Sequence, residues 1–137
     1  MKKKLVFRGI IFSTIFLFCI AASHSAKAQS VANDNIHEVY GELNGDFFKG
    51  NNELYNTFIV LLTKRIKVVE ELYNQNEKYE KISSLNLLNK YNTSISHESF
   101  KTVDEFNPLK YQMDFFAKTT KVYRIDNTNL IVVIDPQ

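Results

Sequence analysis

The chain has no tryptophan, one cysteine, two prolines and four glycines, and no acidic side chain before Asp34. Each scarcity excludes something. The one cysteine, Cys19, lies inside an apolar run near the N-terminus. A chain that loses this run has no disulfide, no thiol nucleophile and no cysteine-ligated metal. Without tryptophan, Phe and Tyr must fill much of the core. Seven of each lie beyond residue 28. No repeat of fixed period and no low-complexity tract occurs.

The first residues read as an export signal. Lys2, Lys3, Lys4 and Arg8 form a basic start, and Gly9 to Ala22 is an uncharged run of 14 residues. A membrane-spanning helix needs about 20 apolar residues, whereas a signal-peptide core needs fewer. Ala26 and Ala28 place small side chains where signal peptidase reads them, which predicts a signal peptide over 1–28 cleaved after Ala28. An uncleaved anchor starting at Leu5 would have to bury Arg8. A lipoprotein would need a small residue where Phe18 precedes Cys19. The expected location is therefore extracytoplasmic, periplasmic or secreted, as for a bacterial exported protein.

Removal of residues 1–28 reverses the charge. Five of the 17 basic residues lie in that segment and all 15 acidic ones lie beyond it, so a net charge of +2 becomes −3. A mildly acidic domain offers no electrostatic attraction for nucleic acid or anionic lipid, and no membrane span is expected after cleavage. The remaining 109 residues suit a single small domain.

Residues 29–52 hold Gly41, Gly45 and Gly50 and no sustained periodicity, so an irregular N-terminal segment is expected, with room for one short helix or strand over Ile36 to Leu43. From Glu53, the residues Tyr55, Phe58, Ile59, Leu62, Ile66, Val69 and Tyr73 recur at helical steps. Asn52 can cap the start, and Glu53 suits the helix dipole. Lys67 with Glu71 and Glu77 with Lys81 are spaced as i, i+4 pairs. The spacing predicts a helix over about 53–80. At roughly 1.5 Å per residue it would run about 42 Å, longer than the roughly 34 Å diameter of a compact chain of this size. It must break near Asn74 to Lys78, project, or pair with a second copy.

Leu85, Leu87, Leu88 and Tyr91 suit a short helix or extended segment, and 92–107 reads as a polar connection anchored by Phe100, Val103 and Phe106. Asn107 is biased away from helix by Pro108. Beyond it, Leu109, Tyr111, Met113 and Phe115 alternate with Lys110, Gln112 and Asp114, the pattern of a half-buried strand. Two more strands are expected over 120–126 and 130–134, joined by Asp126 to Asn129 as a turn. The expected fold is α+β over 53–137: a long amphipathic helix packed on an antiparallel sheet of about three strands at 109–116, 120–126 and 130–134.

No motif assembles a catalytic frame. His37 and His97 are each followed by Glu, but Gly41 and Lys101 stand where a zinc-protease helix needs its second histidine. Asp126, Asn127 and Asn129 lack the frame of a calcium loop and fit a hairpin turn. The glycines lead into no phosphate-binding sequence, and Ser94, Ser96 and Ser99 near His97 lack a nucleophile elbow. Asp104 and Glu105 are two of many carboxylates. Asn92, Thr93 and Ser94 form a glycosylation sequon. The charges of Lys64, Arg65 and Lys67 are offset by Glu70 and Glu71. No catalytic, cofactor-binding or metal-ligating residue is assigned and no cofactor is expected. The sequence points to an exported, non-enzymatic binding or assembly module of the cell envelope or exterior, with a protein or small-molecule partner or a second copy joined through the long helix. The competing expectation is a small extracytoplasmic hydrolase with a carboxylate or a His37 or His97 site.

Overall fold

A computed structural model describes residues 27–71, 78–97 and 102–137, the side chain of Asp104 excepted. The chain divides into two compact units, Met1–Val31 and Ala32–Gln137. In the first unit only 27–31 are described, and they are helical. The signal peptide expected over 1–28 lies outside the described residues except for Lys27 and Ala28.

The second unit opens with helical residues 32–40 (α1), where an irregular segment is expected from sequence. Ala32, Ile36 and Val39 are buried at helical spacing. Three apolar positions before a glycine are too few to register as a periodicity, but they suffice once a core receives them. Gly41 stops the helix at φ +81°, its N–H donating to the His37 carbonyl, a backbone conformation that favours glycine. The turns that follow deliver Phe47 and Phe48 to a cluster of rings. Tyr40 stacks on Phe47 at 4.3 Å and meets Phe58 edge-on at 5.0 Å, while Phe48 lies 4.9 Å from Tyr55. Rings thus fill the volume that tryptophan would otherwise supply.

Helix α2 spans Asn52–Val60, capped one residue earlier than the sequence suggests, by Asn51 Oδ1 accepting the Leu54 N–H. A π-helical turn, Leu61–Arg65, follows, and the Ile66 N–H closes it on the Leu61 carbonyl. The expected helix over 53–80 therefore ends far short, and Ile66–Glu70 is a strand, β1. Ile66 and Val69 fit a helical stripe, but Ile66, Val68 and Val69 are β-branched, and β-branched residues pack better on a pleated surface. Pairing with an apolar strand from the far end of the chain decides the matter. Of the two spaced charge pairs, Lys67 bonds Asp135 rather than Glu71, and Glu77 lies outside the described residues.

Among the described residues the sheet has four strands rather than three, β2 being Glu80–Lys81, β3 Lys121–Arg124 and β4 Leu130–Ile134, in the order β1-β4-β3-β2. It is mixed: β4 runs antiparallel to β1 and β3, but β2 runs parallel to β3. The turn joining β3 to β4 holds Asn127 at φ 57°. Thr128 Oγ1 donates to the Ile125 carbonyl and accepts from the Leu130 N–H.

The expected strand at 109–116 is replaced by a 3₁₀ turn, Pro108–Lys110, and a single bridge between Tyr111 and Leu87. The Met113 and Phe115 N–H groups are spent locally, on the Tyr111 and Met113 carbonyls, and Asp114 donates to the Tyr123 hydroxyl, so pairing stops after Gln112 donates to the Asn86 carbonyl. Tyr111, Met113 and Phe115 are nevertheless buried while Gln112 and Asp114 are exposed. Nearby, Ile82–Ser84 is a 3₁₀ turn, and residues 85–91 form no helix. Of the expected anchors in 92–107, Phe106 is buried, Val103 is exposed and Phe100 lies outside the described residues.

One face of the sheet carries Tyr123, Ile125, Val132 and Ile134 into a core with Ile36, Val39, Phe48, Phe58, Leu61 and Leu109. At roughly 2 kcal/mol for each fully buried side chain of this size, this cluster is the main source of stability.

Candidate functional site

Helix α2 and the segment after Met113 leave an open groove of about 660 Å³ between them. The exposed side of α2 supplies Glu53, Asn56, Thr57 and Val60, the π turn supplies Leu61 and Arg65, and Phe116 and Gln137 complete the lining. Two of these residues are large and apolar yet open to solvent, Val60 at 52% and Phe116 at 46% exposure.

The π turn positions Arg65, and Arg65 holds the groove in shape. Its Nη2 donates to the Phe115 carbonyl at 2.9 Å and to the Asp135 carbonyl at 2.8 Å, with Nε 3.2 Å from the latter. The guanidinium thereby fastens α2 to the chain that presents Phe116 and to the tail after β4. Such a volume lies within the range of natural ligand sites. Its lining sets Val60, Leu61 and Phe116 among Glu53, Asn56, Thr57, Arg65 and Gln137.

The residues singled out from sequence do not converge here. His37 is exposed on α1, its Nε2 3.1 Å from the Tyr55 hydroxyl, which in turn donates to Asn33 Oδ1. Burial pushes the Tyr55 phenol above its ordinary value. His97 is exposed beside the Tyr111 ring at 5.9 Å. Asn92 is engaged, donating to the Glu38 carbonyl while its Oδ1 accepts from the Ser94 N–H and hydroxyl. Ser96 is exposed, and Ser99 and the Asp104 side chain lie outside the described residues, while Glu105 is exposed.

Of the basic cluster, Lys64 is exposed, Arg65 is turned to the carbonyls above, and Lys67 pairs with Asp135 at 2.6 Å. Asp126 accepts from the Ser83 N–H at 2.9 Å and the Ser83 hydroxyl at 2.7 Å, which makes it a structural tether. Among the described residues, no three His, Cys, Asp or Glu side chains gather as a metal site, and no helix is long and apolar enough to cross a membrane.

The groove was not legible in sequence. Val60 and Phe116 lie 56 positions apart, and each alone reads as an ordinary apolar residue. No protein-family model matches the chain, and neither curated proteins nor solved structures include a match.

Proposed function

We propose that this is an exported binding module whose groove seats apolar side chains of a peptide or protein partner. The observation that carries the reading is the pair Val60 and Phe116, two large apolar side chains left open on opposite walls of a groove fixed by Arg65. Solvated apolar groups of this size, rimmed by polar side chains, mark contact surfaces more often than monomeric ones. The open shape suits a chain passing through better than an enclosed small molecule. Export rests on the basic start, the 14-residue apolar run and the small residues at Ala26 and Ala28.

Selection of peptides on the immobilised full chain tests the reading. Apolar and aromatic sequences should be enriched, and Val60→Asp or Phe116→Ser should abolish their capture while circular dichroism stays unchanged, since both side chains are exposed. Peptides captured equally well by both variants would refute the groove as the site. Export is checked separately by N-terminal sequencing of the protein made in a bacterial host, which should begin at Gln29.

The hydrolase alternative draws on His37, an exposed imidazole whose Nε2 lies 3.1 Å from the Tyr55 hydroxyl. His37→Ala should then remove any hydrolytic activity found. An unaffected rate would dismiss this site.

A further inference from the structure

The helix expected to join two copies ends at Val60, and its exposed side instead lines the groove. Glu53, Asn56, Thr57, Val60 and Leu61 recur at helical spacing as one stripe, and Arg65 follows at the end of the π turn. The groove therefore runs along the helix with Glu53 at one end and Arg65 at the other. Phe116 belongs to the Arg65 end, because Arg65 Nη2 bonds the carbonyl of Phe115 beside it.

A guanidinium has five N–H donors in a fixed fork. Nε and Nη2 of Arg65 are spent on the Phe115 and Asp135 carbonyls, neutral acceptors that fix the group without cancelling its charge. Nη1 has no hydrogen-bond partner among the described residues and is open to solvent in the groove. The carboxylate on the adjoining tail is already committed, since Asp135 turns it to Lys67 at 2.6 Å and gives Arg65 only its carbonyl. No carboxylate of the described residues forms an ion pair with Arg65. A fixed guanidinium with two open N–H groups beside apolar walls is complementary to a carboxylate carried next to an apolar side chain.

We infer that the groove takes the C-terminal end of a peptide, whose α-carboxylate accepts from Arg65 Nη1 and whose last side chain, apolar, lies against Val60, Leu61 and Phe116. This names the ligand of the groove and rests on the reading of the groove as a peptide site. Proximity selects the α-carboxylate over that of an Asp or Glu. A terminal residue carries its apolar side chain and its carboxylate on one Cα. In an extended chain the neighbouring side chain points to the opposite side, and the next one on the same side is about 7 Å away. Glu53 sets the direction, because it repels a carboxylate at its own end. The chain thus enters by Glu53 and ends at the π turn. At about 3.3 Å per residue it covers the roughly 12 Å of helix from Glu53 to Leu61 in about four residues.

The test is calorimetric titration of the full chain with an acetylated peptide of four alanines and a C-terminal phenylalanine, compared with the same peptide as its amide. The free acid should bind about tenfold more tightly. An amide extended by Ala-Glu, which sets its glutamate on the same side as the phenylalanine, should bind no better than the plain amide. Arg65→Gln should bring acid and amide within about twofold of each other. The peptide comparison on the unaltered chain decides the matter even where that variant fails to fold. Equal affinity for acid and amide, both lost in Val60→Asp, overturns the carboxylate inference and leaves the groove reading in place. Binding of neither peptide, or binding that Val60→Asp leaves unchanged, removes both. Rescue by the added glutamate overturns the α-carboxylate as the group recognised, and a preference for the acid that persists in folded Arg65→Gln overturns Arg65 as its partner.

Discussion

The Lys110 ammonium lies 2.6 Å from Glu38 Oε1, with only 4% of the Lys110 side chain exposed and 42% of Glu38. Asn107, also buried, donates from Nδ2 to Glu38 Oε2 and to the Asn35 carbonyl, so one carboxylate of α1 holds two buried polar groups of the Pro108 turn. The pair is asymmetric, which sets the order of two substitutions. Glu38→Ala takes a counter-charge from a buried ammonium and should cost about 2–3 kcal/mol, below the ~3–5 kcal/mol of a fully buried pair because Glu38 reaches solvent. Lys110→Met leaves a carboxylate that water can reach and should cost under about 1 kcal/mol. Urea denaturation of both variants checks this; a larger loss for Lys110→Met would contradict the assignment.

This lysine also shows where sequence reasoning stops. Alternation places Lys110 on the wet side of a strand, and the pattern is correct for Gln112 and Asp114. Lys110 departs from it because the Pro108 turn rotates it inward and α1, about 70 residues earlier, supplies Glu38. β4 was legible to the residue because Leu130 to Ile134 is uninterrupted and bounded by turn formers. β1 was not, since Ile66 and Val69 satisfy a helical stripe and a strand equally, and only β4 distinguishes them. α1 was obscured because its apolar stripe is only Ala32, Ile36 and Val39, and the groove by the separation of its walls.

Tyr40 carries a prediction at alkaline pH. Burial, and then the nearby Tyr91, push its phenol from 10.0 up to about 12. The folded state keeps this proton longer than the unfolded chain, so the associated stability is present below pH 10.0 and is lost as pH rises toward about 12. Ultraviolet titration of phenolate should show a late component that Tyr40→Phe removes. An unchanged high-pH limb in that variant would place the buried phenol elsewhere.

Asp126 acts at the opposite end of the scale. Burial works to raise its carboxyl, but the hydrogen bonds from the Ser83 hydroxyl and N–H, the charge of Lys81 and its own backbone N–H outweigh it and hold the group below its ordinary 3.8. A depressed folded value stabilises the protein above the unfolded value and loses that effect as pH falls through the folded one. Asp126→Asn should therefore be less stable than the parent near neutrality, with the gap narrowing below about pH 4. A gap that stays constant down to acid unfolding would mean that ionisation of Asp126 contributes nothing to the tether.

Hydrogen exchange separates the strand from the helix that the sequence suggests for the same residues. A helix over Ile66–Glu70 would protect consecutive amides alike. In β1 the amides of Lys67 and Val69 bond β4, whereas those of Val68 and Glu70 face outward. At low concentration, Lys67 and Val69 should exchange slowly and Val68 and Glu70 rapidly, an alternation that no helix produces. Uniform protection from Ile66 to Glu70 when dilute would contradict the strand itself.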